Sequence, residues 1–129
     1  MQNGMGAAEA IERVRERGKF IEYRQVLAID KHGATAIHSG PNSLGIWTQA
    51  QGKDVASGGN MLASDGVPQA VVDGFLASSG HLGGRLIAAM QAGLAAGGEA
   101  GPPHSAGVVF VDQVGWPVAA LRRELAYGC

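Results

Sequence analysis

Glycine is the residue that most constrains the fold of this chain, because it occupies 21 of 129 positions and clusters in adjacent pairs. The pairs stand at Gly58-Gly59, Gly83-Gly84 and Gly97-Gly98, without the every-third-residue repeat of collagen. Paired glycines indicate tight turns and places where two backbones approach closely. Aromatic residues make up 5% of the chain, so we expect a tightly packed aliphatic core.

The composition predicts one globular domain over residues 1–129. Charged residues make up 16% and hydrophobic residues 46% of the chain, which argues against disorder. The formal net charge of −1 provides no basic surface for nucleic acid or for anionic lipid. No apolar run approaches the length of a bilayer span, and no secretory leader follows Met1. We therefore expect a cytoplasmic protein without a nucleic-acid or membrane partner.

Hydrophobic periodicity predicts an α+β chain with elements in the order helix, hairpin, helix, helix, strand. The first helix is predicted over Ala7–Arg17, and strands over residues 23–30 and 34–39 form the hairpin around a turn at Gly33. The remaining predictions are a short strand at 46–48, a loop over 49–59, helices over 67–79 and 82–96, and a strand over 105–112. The two later helices are expected to form one outer layer over an antiparallel sheet.

The segment Gly58-Gly59-Asn60 has residue types that suit catalysis. Glycines let the backbone approach a ligand, and the Asn60 carboxamide is a neutral hydrogen-bond donor. A donor positioned in this way stabilises an oxyanion, which raises a reaction rate by roughly 100- to 1000-fold. Gly-Asn is also a common turn dipeptide, and composition alone favours the turn.

Arg24 stands at the head of an apolar run, residues 26–29, that is expected to be covered on both faces. A buried guanidinium is costly unless it is paired, so Arg24 should meet a carboxylate or an anionic ligand. Asp30 and Glu99 are the candidate carboxylates within the chain. A structural ion pair is the interpretation that the sequence favours.

No metal or other cofactor is expected, because zinc-ligand spacing is missing among the four scattered histidines, His32, His38, His81 and His104. Residues 103–107 approach the pattern G-x-S-x-G around Ser105. A nucleophile elbow needs a helix after the serine, whereas an apolar strand is predicted here, so Ser105 is interpreted as the start of a core strand. Cys129 is the only cysteine, and a terminal thiol without a fixed base is a poor nucleophile.

Four short segments stand in a fixed order along the chain. They are residues 22–33 (EYRQVLAIDKHG), 38–40 (HSG), 58–62 (GGNML) and 92–107 (AGLAAGGEAGPPHSAG). Together they resemble one family, the domain-of-unknown-function family 1028, which is similar to the N-terminal-nucleophile (Ntn) hydrolases. The resemblance covers residues 4–121, which is most of the chain.

This resemblance implies part of a four-layer αββα sandwich in which two antiparallel sheets lie face to face. It also implies hydrolysis of an amide bond by an N-terminal Thr, Ser or Cys whose own α-amine is the general base. Asn60, with Gly59 beside it, would then be the catalytic oxyanion donor. Arg24, Ser39 and Glu99 would be the substrate-binding candidates.

The start of the chain departs from the family pattern. It opens with Met-Gln-Asn-Gly-Met-Gly directly before the predicted first helix, so we expect that the segment with the nucleophile is missing. The chain then corresponds to an internal or C-terminal portion of the fold, completed by an N-terminal segment or partner chain. A half-sandwich would expose an apolar sheet face, which predicts a homo-oligomer or a complementary chain. The alternative function is a non-catalytic assembly or ligand-binding module that retains the core alone.

Overall fold

The structure is a computed structural model that describes residues 4–113 and 116–124. These residues contain three α-helices, α1 (Ala7–Arg17), α2 (Val67–Ala77) and α3 (Leu82–Ala95), and a short 3-10 helix at Ile21–Tyr23. Their six strands pair antiparallel in three hairpins: β1 (Gln25–Ile29) with β2 (Thr35–Ser39), β3 (Thr48–Gly52) with β4 (Val55–Gly59), and β5 (Ser105–Val111) with β6 (Pro117–Glu124). The α+β class is confirmed, with small separate sheets. The predictions about Met1 and Cys129 lie outside the described residues.

Contacts between the elements place them in successive layers. Helix α1 contacts both strands of the β1–β2 hairpin, which packs against the β3–β4 hairpin. Helix α2 contacts both β3 and β4 from the other side, and α3 packs on α2. The two helices pack on each other as predicted, but it is α2 that covers the β3–β4 hairpin, while α3 lies mainly against α2. Strand β5 contacts the beginning of α3 through Phe110.

Two glycines allow α2 and α3 to pack closely. A Cβ atom on Gly74 would lie 2.6 Å from the Cβ of Ala92, and one on Gly93 would lie 2.5 Å from Val71 Cγ2. Both distances are shorter than a carbon–carbon contact allows, so the helix interface requires glycine at these positions. The buried apolar residues of the described chain extend from α1 through β3 to this helix pair: Ala7, Ile11, Ala50, Leu62, Val67, Val72, Phe75 and Ala89.

The predicted loop over residues 49–59 is wrong, because these residues form most of β3 and all of β4. The segment is polar and rich in glycine, which is unusual for a strand in a core. Its polar side chains bond to the first hairpin, where Thr35 Oγ1 donates to Gln51 Oε1 at 2.8 Å. On its other face a Cβ atom at Gly52 would lie 2.9 Å from Val72 Cγ1, so small residues make room for α2. Of the strand predicted at 46–48, β3 includes Thr48 alone.

The first hairpin is confirmed with shorter strands than predicted, and its turn contains Gly33 with a φ of +80°. The coverage expected on both faces of β1 is incomplete, since Leu27 is 41% and Ile29 is 48% exposed. Strand β6 was not predicted: residues 118–121 form only a short apolar run, and the charged residues 122–124 that complete the strand show no alternation.

Candidate functional site

The predicted catalytic segment forms a corner at the end of β4. Asn60 directly follows the last strand residue, Gly59, and Met61 then turns the chain with a left-handed φ of +52°. The N–H of Met61 donates to the carbonyl of Leu44 at 2.9 Å, which anchors the backbone beyond the corner. The Asn60 side chain is exposed and makes no hydrogen bond within the described part of the chain. Its carboxamide is therefore available to a ligand.

Gln25, at the beginning of β1, anchors the backbone before the corner. Its Nε2 atom donates to the carbonyl oxygen of Gly59 at 3.1 Å and to Ser39 Oγ at 3.0 Å. The carbonyl oxygen of Thr48 is a longer, third acceptor at 3.4 Å. Sequence reasoning did not assign a role to Gln25, and the signal that could have found it was its place beside Arg24 in the first matching segment.

Ser39 is joined to this corner through Gln25. Its hydroxyl donates to Gln49 Oε1 at 2.7 Å, so its oxygen is left to accept the hydrogen bond from Gln25. The structure thus brings two predicted site residues, Ser39 and Gly59, onto the same side-chain amide. Gln49 was missed because it lies in the segment predicted as a loop.

Glu99 lies on the other side of the corner. Its backbone forms an isolated antiparallel bridge with Leu62, flanked by hydrogen bonds from Ala63 N to Gly98 O at 3.0 Å and from Ala100 N to Met61 O at 2.8 Å. Its side chain is exposed. Glu99 is therefore held beside the segment that follows Asn60, although it is distant in sequence.

Arg24 precedes Gln25 at the same end of the first hairpin, but the ion pair predicted for it is wrong. Among residues 4–113 and 116–124, no salt bridge involves Arg24. The residue lies before β1 begins and is exposed, so water solvates its guanidinium and no carboxylate is required. Its carbonyl accepts a hydrogen bond from Gly40 N at 2.8 Å, which fixes the backbone but leaves the charged group free for an anion.

Asp30, one of the two carboxylates considered for Arg24, is a structural residue. Its Oδ1 accepts hydrogen bonds from the N–H groups of His32 at 2.9 Å and Ala34 at 3.1 Å, and its Oδ2 accepts one from Ala7 N at 3.2 Å. These bonds lower the pKa of Asp30 below its ordinary value, the one from His32 most strongly and the one from Ala7 next. Asp30 thus connects the first turn of α1 to the turn of the first hairpin.

Other chemistry considered from the sequence is not assembled here. In the described ranges, no group of three or more His, Cys, Asp or Glu side chains is arranged to hold a metal ion. His38 Nε2 donates to the carbonyl of Ile21 at 3.0 Å, and His81 Nδ1 accepts from Gly83 N at 3.1 Å at the start of α3. Ser105 is the first residue of β5, which is a strand and not the helix that an elbow requires.

The corner is an open surface. Asn60, Arg24 and Glu99 are all exposed, and two shallow depressions of the described surface lie elsewhere, one beside α1 and one on the β5–β6 hairpin. Within the described part of the chain, none of the helices is both long and apolar enough to cross a membrane. A substrate bound at this corner would need a further wall to exclude water.

Known proteins similar to this chain point to one family. A family model described as "Family of unknown function (DUF1028)" matches residues 1–126. The crystal structure of protein SPO2555 from Silicibacter pomeroyi, another DUF1028 protein, resembles this chain with a TM-score of 0.84 and 27% sequence identity. The similarity covers 98% of this chain and 55% of that protein, so this chain spans about half of its length. No curated protein matches the chain.

Proposed function

Because this chain belongs to the family of unknown function DUF1028, we propose that it supplies the oxyanion-binding corner of an Ntn-hydrolase-like amide hydrolase. Asn60, with Gly59 before it, is the oxyanion donor. Arg24, Ser39 and Glu99 border the substrate. The nucleophile belongs to an N-terminal segment or partner chain that completes the site.

The observation that carries this proposal is that the Asn60 carboxamide is unbonded while the backbone around it is held. Its carboxamide is exposed and unbonded in the part of the chain described, while the backbone on both sides is anchored by Gln25 and by Leu44. A neutral donor on a fixed backbone suits oxyanion stabilisation, because less of the site has to reorganise as charge develops.

The proposed reaction assigns a role to each group. The N-terminal hydroxyl or thiol attacks the amide carbon, and its proton passes to the α-amine. The carbonyl oxygen becomes negatively charged and accepts a hydrogen bond from Asn60 Nδ2. The amine leaves with the proton held by the α-amine, and water then hydrolyses the acyl intermediate to a carboxylate. The product therefore carries a carboxylate at the position where Asn60 donates.

Two further observations support this proposal. The layers run from α1 through two stacked hairpins to α2 and α3, which is the succession that an αββα sandwich requires. The similarity to protein SPO2555 leaves part of that protein unmatched, and such a part would have room for a nucleophile. The open surface at Asn60 is the side that a completing segment would cover.

A carboxylate probe tests the site without the nucleophile. Acetate is titrated into the ¹⁵N-labelled chain while the Asn60 side-chain resonances are followed, with Asn60→Ala as the variant and Asn42→Ala, another exposed asparagine, as the control. We expect shifts at Asn60 and at the neighbouring Met61 backbone amide in the wild type and in Asn42→Ala, and no shift of the Met61 amide in Asn60→Ala. Unchanged Asn60 resonances at saturating acetate would overturn the assignment.

An activity measurement completes this test. Whatever assembly the chain forms in cells is purified under native conditions and assayed against a panel of primary and N-acyl amides. Asn60→Ala should lower turnover by roughly 100- to 1000-fold with the fold intact. Equal turnover by both proteins would show that Asn60 is not the oxyanion donor.

A second candidate function is a non-catalytic assembly module, and the exposed face of α3 favours it. Ile87, Met90 and Leu94 are spaced by three and four residues along one helix face, and they are 46%, 59% and 59% exposed. A contiguous apolar stripe of this kind is typical of a surface that binds another polypeptide. The two functions are distinguished by Asn60→Ala, which an assembly module would tolerate without loss.

A further inference from the structure

We propose that Gln25 is the positioning residue of the candidate site and that it holds the Gly59–Asn60 corner through its side-chain amide. The inference rests on the proposed function, since it explains how the backbone that bears Asn60 is held. In this role Gln25 does not contact the substrate. Its contribution is the position of the backbone from which Asn60 extends.

The bonding capacity of Gln25 leads to this proposal. A carboxamide has two N–H groups, and the Nε2 atom of Gln25 has three acceptors: Ser39 Oγ at 3.0 Å, the Gly59 carbonyl at 3.1 Å and the Thr48 carbonyl at 3.4 Å. Thr48 and Gly59 are paired residues of β3 and β4. One side chain of β1 therefore satisfies the end of both strands of the second hairpin.

The orientation of this amide is set by a chain of hydrogen bonds. The Ser39 hydroxyl has one proton, which it donates to Gln49 Oε1 at 2.7 Å. Ser39 Oγ must then accept from Gln25, so the NH₂ group and not the oxygen of Gln25 faces the second hairpin. The reverse orientation would place the Gln25 oxygen against two carbonyl oxygens, which repel it.

Asn60 is the first residue beyond this anchor. Met61 N donates to Leu44 O on the far side, so the stretch between the two anchors is Gly59, Asn60 and Met61. Loss of the Gln25 bond would release one end of that stretch. The backbone at Asn60 would then sample more conformations, and ordering it at each binding event would cost conformational entropy.

The test compares two glutamines that connect the same two hairpins. Gln25→Leu removes the bond at the Asn60 end, and Gln51→Leu removes the bond with Thr35 at the opposite end, where Thr35 Oγ1 lies 2.8 Å from Gln51 Oε1. Gln25→Glu is the second variant, because it keeps the size of the side chain and removes the donor. Two quantities are measured: amide hydrogen exchange at Asn60 and Met61, and the dissociation constant for acetate.

We expect Gln25→Leu and Gln25→Glu to speed exchange at Asn60 and Met61, and the uncharged variant Gln25→Leu to raise the acetate dissociation constant by about tenfold. Gln51→Leu should leave both quantities near the wild-type values, although it also removes a side-chain hydrogen bond between the two hairpins. Matching behaviour of Gln25→Leu and Gln51→Leu at Asn60 would overturn the proposal. If the wild type fails to bind acetate, the proposed function fails, and the exchange rates still decide whether Gln25 positions the corner.

Discussion

The Nε2 atom of Gln25 donates to the carbonyl oxygen of Gly59 over 3.1 Å, although 34 positions of sequence separate the two residues. Gln25 pairs with Ser39 across the first hairpin, and Gly59 pairs with Thr48 across the second. The bond therefore joins the paired ends of both hairpins at one point. It explains why distant segments of the chain meet beside Asn60.

Acidification should weaken the connection between α1 and the first hairpin. Asp30 has a folded pKa below its ordinary value of 3.8, because it accepts hydrogen bonds from His32, Ala7 and Ala34. Its contribution to stability is therefore complete above the unfolded pKa and is lost as the pH falls through the lower, folded pKa. We expect Asp30→Asn to lower the urea midpoint at pH 7, with a smaller difference from the wild type at pH 3.

The matched control for this measurement is Asp65→Asn. Asp65 is exposed, and its side chain makes no hydrogen bond within the described residues. Its substitution should leave the urea midpoint unchanged at both values of pH. A deficit of Asp30→Asn that is as large at pH 3 as at pH 7 would contradict the assignment of Asp30 as an ionised acceptor.

Gly40→Ala should destabilise the protein by about 2–3 kcal/mol. Gly40 is buried, and a Cβ atom there would overlap the backbone carbonyl of Glu22. Asn42 N donates a hydrogen bond to the same Glu22 carbonyl at 2.8 Å. The Glu22 backbone therefore cannot move away from residue 40 without losing that bond. The free energy of unfolding from urea titration provides the measurement.

Gly84→Ala is the opposite case among the glycines. Gly84 lies inside α3, and a Cβ atom there has no neighbour within 4 Å in the described structure. Alanine should therefore stabilise the helix by about 0.5–1 kcal/mol. If Gly40→Ala and Gly84→Ala changed the free energy of unfolding equally, the close contact with Glu22 would not be the reason that position 40 requires glycine.

Arg85 connects α3 to the last turn of α2, and its loss should be costly. Its Nη2 atom donates to the Phe75 carbonyl at 3.2 Å, and its guanidinium carbon lies 3.9 Å from the centre of the Phe75 ring. A cation at a helix C-terminus also interacts favourably with the unpaired carbonyls there. Arg85→Met keeps most of the apolar stem, so we expect a loss of about 1–2 kcal/mol from the charged group.

The control for Arg85 is Arg17→Met. Arg17 is exposed and forms no ion pair within residues 4–113 and 116–124, so its replacement should change the free energy of unfolding by less than about 0.5 kcal/mol. Thermal unfolding of both variants beside the wild type gives the comparison. A loss in Arg17→Met that equals the loss in Arg85→Met would indicate a general charge effect and not the contact with Phe75.

The sequence predicts the helices well because their signal is local. Helix α1 has the predicted bounds, whereas α2 ends two residues and α3 one residue before the predicted end. The apolar spacing that marks each buried helix face lies within one segment. Strands β3 and β4 have no such signal, because the polar residues Gln49 and Gln51 bond to the first hairpin and the small residues face α2.

The candidate site is harder to predict because it is assembled by tertiary contacts. The matching segments provide Ser39, Gly59 and Asn60, but the residue that joins them, Gln25, has an ordinary position at the start of an apolar strand. Arg24 was expected in an ion pair because the sequence does not show that β1 starts at Gln25, two residues after the predicted start. The role of Gln25 depends on hydrogen bonds between segments far apart in sequence, and the exposure of Arg24 depends on where the strand begins.

Self-association through the exposed face of α3 is the last prediction. Met90 lies between Ile87 and Leu94 on that face and is 59% exposed, which is unfavourable in water. We expect native mass spectrometry to show multiples of the 13.2 kDa chain, with a population that rises with protein concentration. Met90→Lys should reduce this population, whereas Gln91→Lys, at the next exposed position, should not. A monomer at every concentration would exclude self-association and would leave a complementary chain as the partner expected for this surface.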